Sequence, residues 1–103
     1  MTLCKIKIAD TDPDDTVLIL RMDGHATGFP DVCASISSLV CMLRGYLQND
    51  PGVRVSREVV REGDVNIIAA GGREFRAVCR AFTIGLLQIE QEYPECIKMT
   101  EDF

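Results

Sequence analysis

Apolar residues at Val32, Ile36, Leu39, Val40, Leu43 and Leu47 fall in steps of four, three, one, three and four. That spacing lays a single stripe along an α-helix. The helix is expected to begin near Asp31, a good N-cap with Pro30 just outside, and to stop at Asn49-Asp50-Pro51-Gly52. Phe75, Val78, Cys79, Phe82, Leu86, Ile89 and Tyr93 repeat at three and four residues and give a second amphipathic helix that ends before Pro94. Two helices with one apolar face each need a common surface to cover.

The remaining segments supply that surface. Cys4, Ile6 and Ile8 alternate with Lys5 and Lys7, the period-two pattern of a half-buried strand, and Asp10 to Asp15, with Pro13 inside, reads as a turn. Thr16 to Met22 is rich in Val, Ile and Leu up to Asp23-Gly24, so it is read as a second strand, apolar on both faces and central in the sheet. Val53 and Val55 alternate with Arg54 and Ser56, and after the turn Glu62-Gly63-Asp64 the run Val65 to Ala69 is again strand-like, which predicts a second hairpin. The tail, Cys96 to Met99, is compatible with one more short strand. The order ββαββα over residues 1–103 predicts one α+β domain of two layers, a mostly antiparallel sheet with both helices on one face. Gly85 inside the second helix suggests close packing against a neighbour, for which a second subunit is one candidate.

A chain of 103 residues has room for one modest core. No apolar run is long enough to span a membrane, and the first residues carry lysines and aspartates in place of a secretory segment, so no membrane partner is expected. The five cysteines, Cys4, Cys33, Cys41, Cys79 and Cys96, are an odd number and form no CxxC pair. Neither a disulfide framework nor a metal site is predicted, no cofactor is suggested, and reduced thiols in this number point to the cytoplasm. A net charge of -5 argues against nucleic acid as a partner, while a protein or peptide substrate stays compatible.

The segment Gly24-His25-Ala26-Thr27-Gly28-Phe29-Pro30-Asp31-Val32-Cys33-Ala34-Ser35-Ile36-Ser37 carries the chemistry. It sets the chain's one histidine on the turn before a helix and a cysteine in the first turn of that helix. Unpaired N–H groups and the helix dipole favour a thiolate there, and the thiolate is the attacking form. An imidazole brought back over the helix start can hold Cys33 as an ion pair and later protonate a leaving amine, while the same N–H groups can bind an oxyanion. Asp31 can cap the helix or orient the ring, and Ser37, one turn beyond Cys33, can line the site. Each of these residues also has a plainer role: a cysteine near a helix start is commonly a small buried hydrophobe, and a lone histidine a turn residue. The other four thiols are expected to be inert within apolar stripes.

Gly24-His25-Ala26 followed by Asp31-Val32-Cys33-Ala34 and Ser37 resembles the ribosomal-processing cysteine protease family, Prp. The order of elements over the whole chain is similar to that family, and Phe82-x-x-Gly85-Leu86 through Tyr93-Pro94 resembles its last helix. The resemblance implies a bacterial, homodimeric cysteine endopeptidase that removes a short N-terminal extension from one large-subunit ribosomal protein. It carries the catalytic roles onto Cys33 and His25, with Gly24, Ala26, Ala34 and Ser37 as supporting positions. The family loop between histidine and cysteine is usually longer and glycine-rich, whereas seven residues separate His25 from Cys33 here. The family aspartate usually lies three residues before the cysteine, where this chain has Pro30, with Asp31 two before. A peptidase for a phage or mobile-element protein and a non-catalytic homodimeric binding module of the same fold are the alternatives.

Overall fold

Seven elements follow one another in the computed structural model: β1 (Thr2–Asp12), β2 (Asp15–Asp23), α1 (Pro30–Asn49), β3 (Arg54–Arg61), β4 (Asp64–Gly71), α2 (Arg73–Glu92) and β5 (Ile97–Thr100). The structure describes residues 1–12, 14–25 and 28–100. The strands form one sheet in the order β3-β4-β2-β1-β5. All neighbours are antiparallel except β1 and β5, which run parallel. The fold is therefore the expected α+β arrangement. The apolar strand Thr16–Met22 lies within β2 at the centre of the sheet, and the tail supplies the fifth strand.

Alternation along the strands sorts side chains onto two faces. Ile6 stands opposite Leu20 and Leu20 opposite Ile67, and all three are buried together with Cys4, Leu18, Met22 and Ala69. The helix stripes close over this face, with Val32, Ile36, Val40, Leu43 and Leu47 from α1 and Phe75, Cys79, Phe82 and Leu86 from α2. Each fully buried Leu, Ile or Phe in such a cluster contributes about 1.5–3 kcal/mol relative to exposure. The opposite face carries Lys5, Lys7 and Arg21 in water, with Val17, Ile19 and Ile68 half-buried between them. Apolar residues thus occur on both faces of β2, but only one face is covered by helices.

The two helices meet at Tyr46 and Phe75, whose rings stack with centroids 6.3 Å apart, and again where Gly85 of α2 faces Leu39 of α1. A Cβ at Gly85 would stand 3.0 Å and 3.1 Å from the two Leu39 methyls. The close neighbour that Gly85 predicts is thus a leucine of the same chain rather than a second subunit.

The start of α1 differs from expectation. Phe29, not Asp31, is the N-cap, no side chain caps the helix, and Pro30 is its first residue. Proline holds the backbone angle a first helical turn requires and lacks the N–H that would be left unpaired there, so the helix can begin two residues early without a polar cap. Asp31 becomes an acidic residue of the first turn, where its charge complements the positive end of the helix dipole.

Candidate functional site

The register of the sheet builds the site. Asp23, the last residue of β2, pairs with Asp64, the first of β4, so the chain leaving β2 emerges beside the turn that joins β3 to β4. The Gly24 N–H donates to the Gly63 carbonyl at 3.0 Å, and the Thr2 hydroxyl makes a longer contact of 3.4 Å to the Gly24 carbonyl. Gly24 has a φ of +88°, and a Cβ there would collide with the Met1 carbonyl. Only glycine combines that left-handed turn with so close an approach of backbone. His25 follows at once, exposed, at the rim of a cleft of about 490 Å³.

The facing wall of the cleft is α1. Cys33, Ser37 and Cys41 recur at four-residue spacing along it, with Ile36 and Val40 between them, and β3 and β4 close the far side with Val60 through Val65. His25 and Cys33, from different elements, therefore open onto one cavity, and Gly24 and Ser37 line it with them. Cys33 is half-buried and packs against the edge of the core. Asp31 and Ala34 are exposed and are not among the lining residues, so neither touches this cavity. Ala26 lies outside the described residues.

The backbone at the helix start is more committed than the sequence suggests. The N–H groups of Val32 and Cys33 both donate to the Phe29 carbonyl at 3.1 Å, and Pro30 has none to offer. Among the described first-turn amides, only that of Asp31 remains for an incoming anion, which narrows the expected oxyanion-binding set to one group. The dipole of a twenty-residue helix still acts on Cys33.

Three other thiols are buried as expected. Burial pushes Cys4 up to about 12 and does the same to Cys79, with Glu90 adding to the first and Asp10 to the second. Cys96 is also raised, first by burial, then by Glu95 and by Cys33, within whose electrostatic reach it lies. Cys41 departs from expectation: it is exposed and lines the same cleft as Cys33. It directly follows the buried Val40, and its angular position puts it on the cleft side of the apolar stripe, not inside it. Among the described residues no three His, Cys, Asp or Glu side chains converge as a metal site, and no helix is long and apolar enough to cross a membrane.

The β3–β4 turn is a wall of the site that the sequence does not announce. Glu62-Gly63-Asp64 is recognisable as a turn, but its place beside His25 depends on the pairing of β2 with β4. No local signal encodes that pairing.

No family model matches the chain, and no curated protein matches it. Solved structures do. The essential ribosomal processing protease Prp from S. aureus, in complex with a substrate peptide, superposes with a TM-score of 0.73 at 21% identity, over 99% of this chain and 100% of that one. The same protease with a covalently linked product peptide gives 0.69 at 21% identity, again over 99% and 100%. SMU.848 from Streptococcus mutans gives 0.65 at 19% identity, over 98% and 93%. At these identities the likeness is one of fold, extending over essentially the whole chain.

Proposed function

We propose that this chain is a cysteine endopeptidase of the Prp type, with Cys33 as nucleophile and His25 as general base and acid. The observation that carries the proposal is that Cys33, in the first turn of α1, and His25, after β2, line one cleft. The fold shared with a peptidase solved with bound peptide supports it.

In this reading the Cys33 thiolate attacks the scissile carbonyl carbon, forming a C–S bond as the π electrons move onto oxygen. Collapse of that intermediate expels the amine, to which imidazolium His25 gives its proton, leaving an acyl-enzyme thioester. Neutral His25 then takes a proton from water as the water oxygen attacks the thioester. The thiolate leaves, and acid product and starting enzyme are restored. The cleft walls Met22, Ile36, Val40, Val60 and Val65 are apolar and suit an extended peptide with an apolar side chain seated beside Cys33.

The substrate is proposed to be a protein with a short N-terminal extension, a large-subunit ribosomal protein first, and the compartment the cytoplasm. A homodimer is also proposed. Its support is no longer Gly85 but the outward sides of the helices, where Ile84 is 58% exposed and Met42 and Leu87 each 43%. Incubation with extension peptides tests the function. Wild type cuts, and Cys33→Ser and His25→Ala do not, whereas a binding module of this fold retains peptide uncut in all three.

A further inference from the structure

We infer that Gly63, at the tip of the β3–β4 turn, is the positioning residue for His25, and that its missing side chain is the seat on which the imidazole rests. A Cβ at Gly63 would stand 2.6 Å from Nε2 of His25, 3.0 Å from Cε1 and 3.4 Å from Cδ2. The first distance is well inside van der Waals contact, so the ring lies against the turn and its Nε2 end faces the glycine. Any side chain at position 63 would force the exposed His25 ring to move from this placement.

A second contact comes from the same residue. Its carbonyl accepts the Gly24 N–H at 3.0 Å, which pins the backbone just before His25. One residue of a different hairpin thus fixes both the origin of the histidine side chain and the surface its ring touches. Among the described residues no side-chain hydrogen bond orients the imidazole, and the contact with Gly63 is the ordering interaction they provide. The catalytic consequence rests on the peptidase reading above; the seat itself does not.

Gly63 also has a φ of +74°, and this second reason for glycine must be separated from the first. Asparagine tolerates the left-handed region but carries a Cβ. Gly63→Asn therefore keeps the turn and removes the seat. Gly28 is the control: its φ is +86°, and no described residue beyond its chain neighbours lies within 4 Å of where its Cβ would be, so Gly28→Asn makes the same backbone demand without a collision among the described residues.

The test is a thermal-unfolding cycle over wild type, Gly63→Asn, His25→Ala and the double variant, with peptide cleavage measured in parallel. Gly63→Asn is expected to lower the midpoint in the wild-type background and to have a clearly smaller effect once His25 is alanine, because the colliding ring is gone. If Gly63→Asn fails to fold alone but folds with His25→Ala, the seat is supported. If it shifts the midpoint equally in both backgrounds, or unfolds both, the inference is overturned. In cleavage, Gly63→Asn is expected to reduce kcat at least tenfold with KM within about twofold, and Gly28→Asn to leave kcat within about twofold. Wild-type rates in Gly63→Asn would overturn the positioning role. A wild type that cuts nothing would sink the peptidase reading, while the unfolding cycle would still decide the seat.

Discussion

Cys41 lies about two helical turns along α1 from Cys33, and both open onto the cleft that also holds His25. Limited iodoacetamide treatment at neutral pH, followed by peptide mapping, should therefore modify Cys33 first and Cys41 second. Cys4 and Cys79, pushed up to about 12 by burial, would each be ionised to the order of 10⁻⁵ at pH 7 and should stay unmodified in the folded chain, as should buried Cys96. Faster labelling of Cys41 than of Cys33 would show that the helix start and His25 do not activate the thiol.

Cys4 and Cys79 set an alkaline limit on the fold. Their pKa is raised from about 9 in the unfolded chain to about 12 in the folded one, so the folded state holds protons that the unfolded state releases. The stabilisation is complete below pH 9 and is lost as pH rises towards 12. Each thiol contributes a slope of up to about 1.4 kcal/mol per pH unit. Urea unfolding between pH 8 and 11 should show this decline. Cys79→Ala should be less stable at pH 8, by about 1–2 kcal/mol for the lost packing, yet decline less steeply above pH 9. An unchanged slope in that variant would mean that Cys79 is not the titrating group.

At the helix seam, Gly85→Leu should cost about 1–3 kcal/mol, because the added side chain must displace Leu39, whose methyls already stand at contact distance. Leu39→Ala in the same chain should restore part of that loss. A Gly85→Leu protein as stable as wild type in denaturant titration would place the close approach elsewhere.

Light scattering at micromolar concentration should report a dimer, and Ile84→Glu with Leu87→Glu should convert it to a monomer of unchanged helical content. A wild-type monomer at that concentration would contradict the proposed assembly.

The contrast between what could and could not be read in advance follows from interaction range. The α1 and α2 stripes are local periodicities, and Phe75, Cys79, Phe82 and Leu86 are buried as their spacing requires. The strand alternation of Cys4 and Ile6 and the central place of β2 were legible for the same reason. Residue preference points to Asp31 as the cap of α1, and the pre-set backbone of Pro30 overrides that preference. Spacing alone puts Cys41 in the apolar stripe, because a single-residue offset on a helix cannot be resolved without knowing where the neighbouring layer ends. Gly63 was visible only as a turn residue. Its contact with His25 exists because Asp23 pairs with Asp64, a long-range register that no window of sequence contains. The helix-start cysteine and the histidine on the turn before it point to Cys33 and His25, the resemblance to the Prp family adds to that reading, and the turn that completes their cleft comes from the fold.

The central claim is that Cys33 and His25 act together on a peptide bond. Mass spectrometry of a ribosomal-protein extension peptide, or of a mixture of host and phage N-terminal peptides, after incubation with the protein tests it most directly. Wild type should yield two fragments and a transient mass adduct on Cys33 equal to the acyl half of the substrate. Cys33→Ser should yield neither, since a serine hydroxyl does not supply the pre-formed anion, and His25→Ala should reduce cutting at least 100-fold while circular dichroism stays unchanged. Fragments produced at the wild-type rate by Cys33→Ser would remove Cys33 from the nucleophile's role and contradict the account.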